Sequence, residues 1–358
     1  MNAIKNIIEK ASKLNGKVVL PEGQDPRVII AACACVERKI CSVIVLGTPE
    51  EIADAEAKAG KKLADFGIAA IDYTAGDAEL EKAYFDARLP KEQKKYEQKL
   101  ELYRVDPANN KEPKPFTLEV AAKTLRTKRI YFGGMMVKLG RVNGLVAGSI
   151  ASTGDMLLAA FQTLGTQKGV KTASSCFILD LQEPTASGDS VLAFGDCAVI
   201  PDPTAEQLVD IALATAQTYR DLTGNEPRVA FLSFSTMGSA KVPLVEKMQK
   251  AVELARPVFA EKGIKMDGEL QFDAAIVPSV GKQKNPNGEI QGNANVFIFP
   301  DLNAGNIGYK IAQRLGKADA IGPNLQGLAK AMNDLSRGCN AEDIVGTIGV
   351  TLLQSVTK

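Results

Sequence analysis

One stretch near the C-terminal end combines residues able to hold an anion and move an acyl group. Ser336-Arg337-Gly338-Cys339 stands just before an apolar run with helical periodicity from about residue 341 to 356, and Asp343 falls in its first turn. A helix N-terminus presents unpaired N–H groups and a partial positive charge, which suit phosphate or a developing oxyanion. An arginine beside it adds two-pronged recognition of phosphate oxygens. A plainer reading of the same residues stays open. Asn340-x-x-Asp343 matches a capping pair that merely closes the helix end. Cys339 offers a third possibility, a thiol whose pKa the helix terminus lowers and which carries an acyl group in a two-step exchange.

The chain has no histidine. Ser-His-Asp and Cys-His mechanisms are therefore excluded, because their usual base is missing. Catalysis has to rest on carboxylates, Lys, Tyr, Cys or backbone donors. No G-x-G-x-x-G follows a strand pattern and no G-x-x-x-x-G-K-[ST] occurs, so neither a dinucleotide fingerprint nor a P-loop is supported. Three further Gly-rich polar stretches stand out: GSIASTGD (148–155), SFSTMGSAK (233–241) and FPDLNAGNIGYK (299–310). Six scattered cysteines follow no disulfide or zinc spacing, and reduced thiols in a cytoplasmic protein are expected.

These residues need a scaffold. Short β-branched runs alternate with longer amphipathic stretches, the pattern of an α/β fold with a largely parallel sheet. Strands are expected at 17–20, 42–46, 144–150, 228–235, 294–302 and 318–321, and helices at 26–38, 154–164 and 203–222. Thr48-Pro49-Glu50-Glu51 is a complete helix start, and Thr153 is the expected cap of the helix beyond it. Residues 170–180 and 190–200 flank a turn-rich QEPTASGD and suggest an antiparallel pair. The charged 79–116 region reads as a solvated helix plus loop. Over 358 residues, 43 basic side chains balance 42 acidic ones, which gives no support to a nucleic-acid or membrane-surface binder. No apolar run reaches the roughly 18–20 residues a bilayer crossing needs, and the first residues do not pattern as a secretory signal.

Five ordered segments carry a resemblance that spans essentially the whole chain: VVLPEGQDPR, YFGGMMVKLGRVNGLVAGSIASTGD, DGELQFDAAIVPSV, ANVFIFPDLNAGNIGYKIAQRLGKADAIGP and NDLSRGCNAEDIV. They resemble the phosphate acetyltransferase (phosphate acetyl/butyryltransferase) family. The resemblance implies a two-domain α/β fold like that of isocitrate and isopropylmalate dehydrogenases, with an interdomain cleft. Domain I would comprise 1–168 with 325–358 returning to it, and domain II 169–324. It implies a cytoplasmic homodimer exchanging acetyl between acetyl phosphate and coenzyme A, with coenzyme A as substrate and no bound cofactor or metal. Under it, Asp343 is the base for the thiol, Ser336 steadies the thiolate, and Arg337 holds phosphate and the polarised carbonyl. Arg104 matches an arginine implicated in coenzyme A binding, and Ser152, Thr153, Tyr309 and Lys310 line the acyl-phosphate pocket.

The chemistry is feasible without histidine because acetyl phosphate is already activated. A thiol near pKa 8.5 and an ordinary aspartate near 3.9 differ by about 4.6 units, roughly 6 kcal/mol of uphill proton transfer. Burial of the carboxylate and cationic stabilisation of the thiolate narrow that gap.

One segment departs from the family pattern. Relatives typically read AIHSTADTLRPAL where this chain reads SIASTGDMLLAAF, so Ala151 replaces a histidine, Leu158 an arginine and Ala159 a proline. Losing a charge-assisted phosphate contact costs roughly 1.5–3 kcal/mol, about ten- to a hundredfold in affinity. Three outcomes are compatible with the sequence: an active enzyme with Lys138 or Arg141 compensating, a preference for a bulkier acyl group such as butyryl, or a non-catalytic acyl-coenzyme A-binding regulatory homologue. Restoring the charge with Leu158→Arg is expected to lower the apparent KM for acetyl phosphate in steady-state assays; an unchanged KM removes Leu158 from the account.

Overall fold

The structure, a computed structural model, describes residues 3–170 and 172–356. Eleven strands occur among them: β1 Lys17–Leu20, β2 Ser42–Leu46, β3 Ala69–Ile71, β4 Gly144–Ala147, β5 Ser174–Asp180, β6 Val191–Gly195, β7 Arg228–Leu232, β8 Lys265–Leu270, β9 Val296–Ile298, β10 Asp319–Gln326 and β11 Ala331–Asp334. They form two sheets. The first has the order β11-β4-β1-β2-β3 and is parallel throughout. The second has the order β10-β5-β6-β9-β7-β8, with β10-β5-β6 antiparallel and the remainder parallel.

Strands covered on both faces lose the hydrophobic-polar alternation. That is why Val18, Val19 and Leu20 run together, all buried. Val18 and Leu20 pack with Val28, Ile29 and Ala32 of the Pro26–Glu37 helix and with Ile344 and Ile348 of the Ala341–Val356 helix. Val19 points the other way, into a core shared with Phe132 and Met135 of the Arg129–Lys138 helix and Met156 and Ala160 of the Thr153–Thr163 helix. The start at Thr48 is a full capping box, each of Thr48 and Glu51 accepting the other's backbone N–H. The charged region becomes the long Ala78–Val105 helix followed by a loop, in line with its solvated pattern.

Strand ends move inward from their expected limits. Residues 294–302 keep only Val296–Ile298, because Asp301 already caps the Leu302–Arg314 helix through the N–H of Ala304. The 318–321 strand instead extends through Gln326, past Pro323, on an edge that pairs with β5 on one side only.

The chain leaves the second sheet after β10 and re-enters the first as β11, parallel to β4 with Ala331 opposite Gly144. Asn333, fully buried, fixes this return. Its Oδ1 accepts the Leu325 N–H at 2.8 Å, and its Nδ2 donates to Thr351 Oγ1 and Gln354 Oε1, both at 2.8 Å. Removing the amide strands buried polar groups that cost about 1–3 kcal/mol each. Asn333→Ala is expected to lower the unfolding free energy by about 3 kcal/mol in urea titration; an unmoved midpoint means the amide does not fix the crossing.

Candidate active site

The segment after β11 lies between elements carried by the two sheets. Two abutting cavities of about 400 and 470 Å³ share Phe177, Tyr309, Leu335 and Ser336 as common walls. The first is lined by Ser336, Gly338, Cys339, Asn340 and Asp343, with Arg314 and Lys317 opposite. The second takes Thr153, Ala151 and Arg337 from one side and Tyr309, Lys310 and Asn306 from the other.

The local geometry follows from a tight turn. Ser336 Oγ accepts the Gly338 N–H at 3.3 Å, and the Ser336 carbonyl accepts the Cys339 N–H at 2.9 Å. The hydroxyl proton of Ser336 is thereby left to donate elsewhere. Arg337 is exposed, and its guanidinium has no carboxylate partner among the described residues. Asp343 does both things the sequence allowed. Its Oδ2 accepts the Asn340 N–H at 2.9 Å while Asn340 Oδ1 accepts the Asp343 N–H at 3.0 Å, and the same side chain borders the 400 Å³ cavity. Capping and lining the groove are compatible.

Arg27, which the sequence reading did not single out, holds the turn in place. Its Nη1 donates to the carbonyls of Arg337 and Cys339 at 2.9 and 2.8 Å, and its Nη2 to the Ser149 carbonyl at 3.0 Å. Asp25, the cap of the Pro26–Glu37 helix, grips the guanidinium through Nε and Nη2. Burial pushes the Asp25 carboxyl up, but the bonds from Arg27 and Ser149 outweigh it and hold it below its usual range. Glu22 was missed as well. Its carboxylate, almost wholly buried, accepts the N–H groups of Gly148, Ser149, Ile150 and Ala151 at 2.7–3.1 Å, fixing the loop after β4. The only sequence signal for both was their place in PEGQDPR, directly after a strand.

The remaining expected residues divide. Tyr309 is buried, its ring stacked on Phe177 with centroids 3.8 Å apart, and Lys310 reaches back to Asn306 Oδ1 at 2.8 Å. Ser152, rather than Thr153, caps the Thr153–Thr163 helix, exchanging hydrogen bonds with Asp155, and borders neither cavity. Thr153 is freed by this, and its Oγ1 is hydrogen-bonded to Asp334 Oδ2 at 2.6 Å. Arg104 is exposed in the last turn of the Ala78–Val105 helix and borders neither cavity. Leu158 borders a separate cavity of about 270 Å³ with Ile150, Tyr131, Lys128 and Arg129, which meets the larger cleft cavity at Ala151. The nearby cations are thus Lys128 and Arg129; Arg141 is tied to Asp77 and Glu79, and neither it nor Lys138 borders that space.

Fold and site together define an α/β protein whose groove joins a hydroxyl, a guanidinium and a carboxylate at one helix start. The chain belongs to the phosphate acetyl/butaryl transferase family, whose model matches residues 2–95 and 90–352. It is 43% identical over 355 residues to the phosphate acetyltransferase of Thermoanaerobacterium thermosaccharolyticum, covering 99% of this chain and all of that one. The phosphate acetyltransferase of Acetivibrio thermocellus is 41% identical over 99% of this chain and 98% of its own. Among solved structures, EutD phosphotransacetylase from Staphylococcus aureus superposes with a TM-score of 0.81 at 38% identity, over 99% of this chain and 98% of that one. A 4-hydroxythreonine-4-phosphate dehydrogenase from Klebsiella pneumoniae, 12% identical with a TM-score of 0.51 over 95% and 99%, shares the fold alone. The dehydrogenase-like architecture expected from sequence is therefore the one present.

Cys339 is a poor nucleophile in this setting. Burial pushes its thiol up to about 11, Arg27 only partly opposing, so it is almost wholly protonated at neutral pH. Cys339→Ala is expected to keep more than half the turnover, and iodoacetamide to alkylate Cys339 at least tenfold more slowly than a free thiol at pH 7.5. Loss of all turnover in the variant would restore the acyl-cysteine route.

Proposed function

We propose that the protein is a phosphate acetyltransferase that transfers acetyl reversibly between acetyl phosphate and coenzyme A by direct attack in a ternary complex. The observation that carries this reading is that Ser336 stands on the wall shared by two abutting cavities, with Asp343 lining one of them and Arg337 the other. The thiol of coenzyme A occupies the cavity bordered by Asp343, with its arm running past Arg314 and Lys317. Acetyl phosphate occupies the neighbouring one, its phosphate near Arg337 and Lys310. Asp343 takes the thiol proton, Ser336 donates to the thiolate, and sulfur attacks the acetyl carbonyl. The acyl C–O bond then breaks and phosphate leaves, its charge steadied by the unpaired guanidinium of Arg337. Asp343 is exposed in the free protein, so the burial that narrows the proton-transfer gap comes when coenzyme A fills the cavity and displaces water from around the carboxylate.

We divide the chain at 168/169 and 324/325, the last segment returning to the first domain; the position of β11 beside β4 supports that return, while β10 keeps residues up to Gln326 in the second sheet. We place the protein in the cytoplasm, where coenzyme A is used, as a homodimer. Among the described residues no helix is long and apolar enough to cross a membrane. Phe234, Met237 and Phe272 are exposed together beside the β8 end, where Met237 N–H bonds the Glu269 carbonyl, and such a patch suits a partner subunit. A preference for a longer acyl chain has one supporting observation, the apolar surface that Leu158 and Ile150 lend to the side cavity next to Ala151.

Release or consumption of free thiol, followed with acetyl phosphate and then butyryl phosphate, tests the reading. Turnover with acetyl phosphate supports it, turnover with butyryl phosphate alone moves the assignment to the longer chain, and turnover with neither leaves a binding protein. Asp343→Ala is expected to cut kcat by about 10²–10⁴, the usual loss with a general base; a loss below threefold rules out that role.

A further inference from the structure

Asp334 ends β11 two residues before Ser336 and is fully buried. Its Oδ2 lies 2.6 Å from Thr153 Oγ1, while its Oδ1 is buried without a hydrogen-bond partner. Gly148, at φ +110°, passes so close that a Cβ there would stand 2.1 Å from Oδ1. A side chain at position 148 would collide with this carboxyl oxygen. A buried carboxylate with an unpaired oxygen is costly, whereas a carboxylic acid in the same place is not. The 2.6 Å separation suits a hydroxyl donating to a carboxylate and equally a carboxylic acid donating to a hydroxyl.

Thr153 links this carboxyl group to the cleft. The threonine borders the 470 Å³ cavity with Arg337 and Lys310, whereas Asp334 does not. A threonine hydroxyl has one proton. When that proton points at Asp334, only lone pairs face the cavity; when Asp334 supplies the proton, the threonine O–H is free to turn into the cavity. We propose that Asp334 is a positioning residue that sets this direction, so that Thr153 donates to an acyl-phosphate oxygen when Asp334 is protonated and presents only lone pairs when it is ionised. The proposal rests on the acyl-phosphate reading of the larger cavity. Acyl phosphate oxygens are acceptors, so the two orientations of one hydroxyl differ in sign toward the substrate.

The surroundings favour a proton shared near neutrality. Burial pushes the Asp334 carboxyl up to about 7, opposed by the Thr153 hydroxyl and the nearby Leu335 N–H, while the negative charge of Glu22 adds to the rise. The other charged groups on packed elements are Asp155 on the Thr153–Thr163 helix, Asp319 on β10, and Glu342 and Asp343 on the last helix, all exposed to solvent; β4 carries none. The sign follows directly. Below pH 7 the carboxyl is protonated, Thr153 donates into the cleft, and acetyl phosphate binds more tightly; above it that donor is withdrawn.

The experiment is kcat/KM for acetyl phosphate from about pH 6 to 8.5 at saturating coenzyme A, in the direction that keeps inorganic phosphate out of the starting mixture. The wild type is expected to show a fall of about tenfold on one ionisation near pH 7, the worth of a charge-assisted hydrogen bond. Thr153→Ser should keep that ionisation, and Thr153→Val should abolish it at the low level. Asp334→Asn, whose amide N–H can replace the acid proton, should abolish it at the high level; if this variant does not fold, the two Thr153 variants decide alone. Survival of the ionisation in Thr153→Val, or a flat profile in an active wild type, overturns the proposal and leaves the functional reading intact. A wild type inactive with acetyl phosphate fails both.

Discussion

The Arg27 guanidinium is the point on which the groove depends. It has five N–H donors in a rigid plane, and here they join Asp25 at one helix start to the carbonyls of Ser149, Arg337 and Cys339 in two other loops. Those loops come from parts of the chain more than 100 residues apart. No lysine could do the same, because a point charge on a flexible stem does not fix several acceptors in one plane. Glu22 complements it a few residues earlier by gathering four successive backbone N–H groups of the loop after β4. One loop, β1 to the Pro26–Glu37 helix, therefore fixes both the loop after β4 and the turn after β11.

Around this fixed point the groove divides its labour by charge. The helix start supplies Asp343 and the turn supplies Ser336 and Arg337, all anchored to the first sheet. The second sheet supplies Tyr309, Lys310, Arg314 and Lys317 through the Leu302–Arg314 helix and the turn after it. Tyr309 is held flat on Phe177, so Lys310 on the next position projects from a rigid base.

Much of this was legible in the residues. The runs VVL and SVIVL gave parallel strands, Thr48-Pro49-Glu50-Glu51 gave a helix start, and Ser336, Arg337 and Asp343 line the two abutting cavities. The misses have physical causes. Ser152 and Thr153 are both good caps, and only tertiary competition, the buried Asp334 claiming the Thr153 hydroxyl, decides between them. Arg27 and Glu22 act across more than 100 residues, a distance no local pattern encodes. Lys138 and Arg141 were plausible substitutes for a missing cation by sequence proximity alone, yet Arg141 is satisfied by Asp77 and Glu79 on the long helix. Arg104 lies on a helix end that the fold directs to solvent rather than to the groove.

The pairing of β11 with β4 has a consequence for biosynthesis. A chain emerging from the ribosome can build β1, β2, β3 and β4 early, but the open edge of β4 waits until Ala331–Asp334 arrives to cover it. An exposed strand edge is a template for wrong partners, and contacts this distant in sequence form slowly. The nascent sheet therefore stays unfinished, and the helix bearing Asp343 unplaced, until Ala331–Asp334 has been made. Premature termination anywhere before that strand yields a sticky fragment rather than a weakly active enzyme.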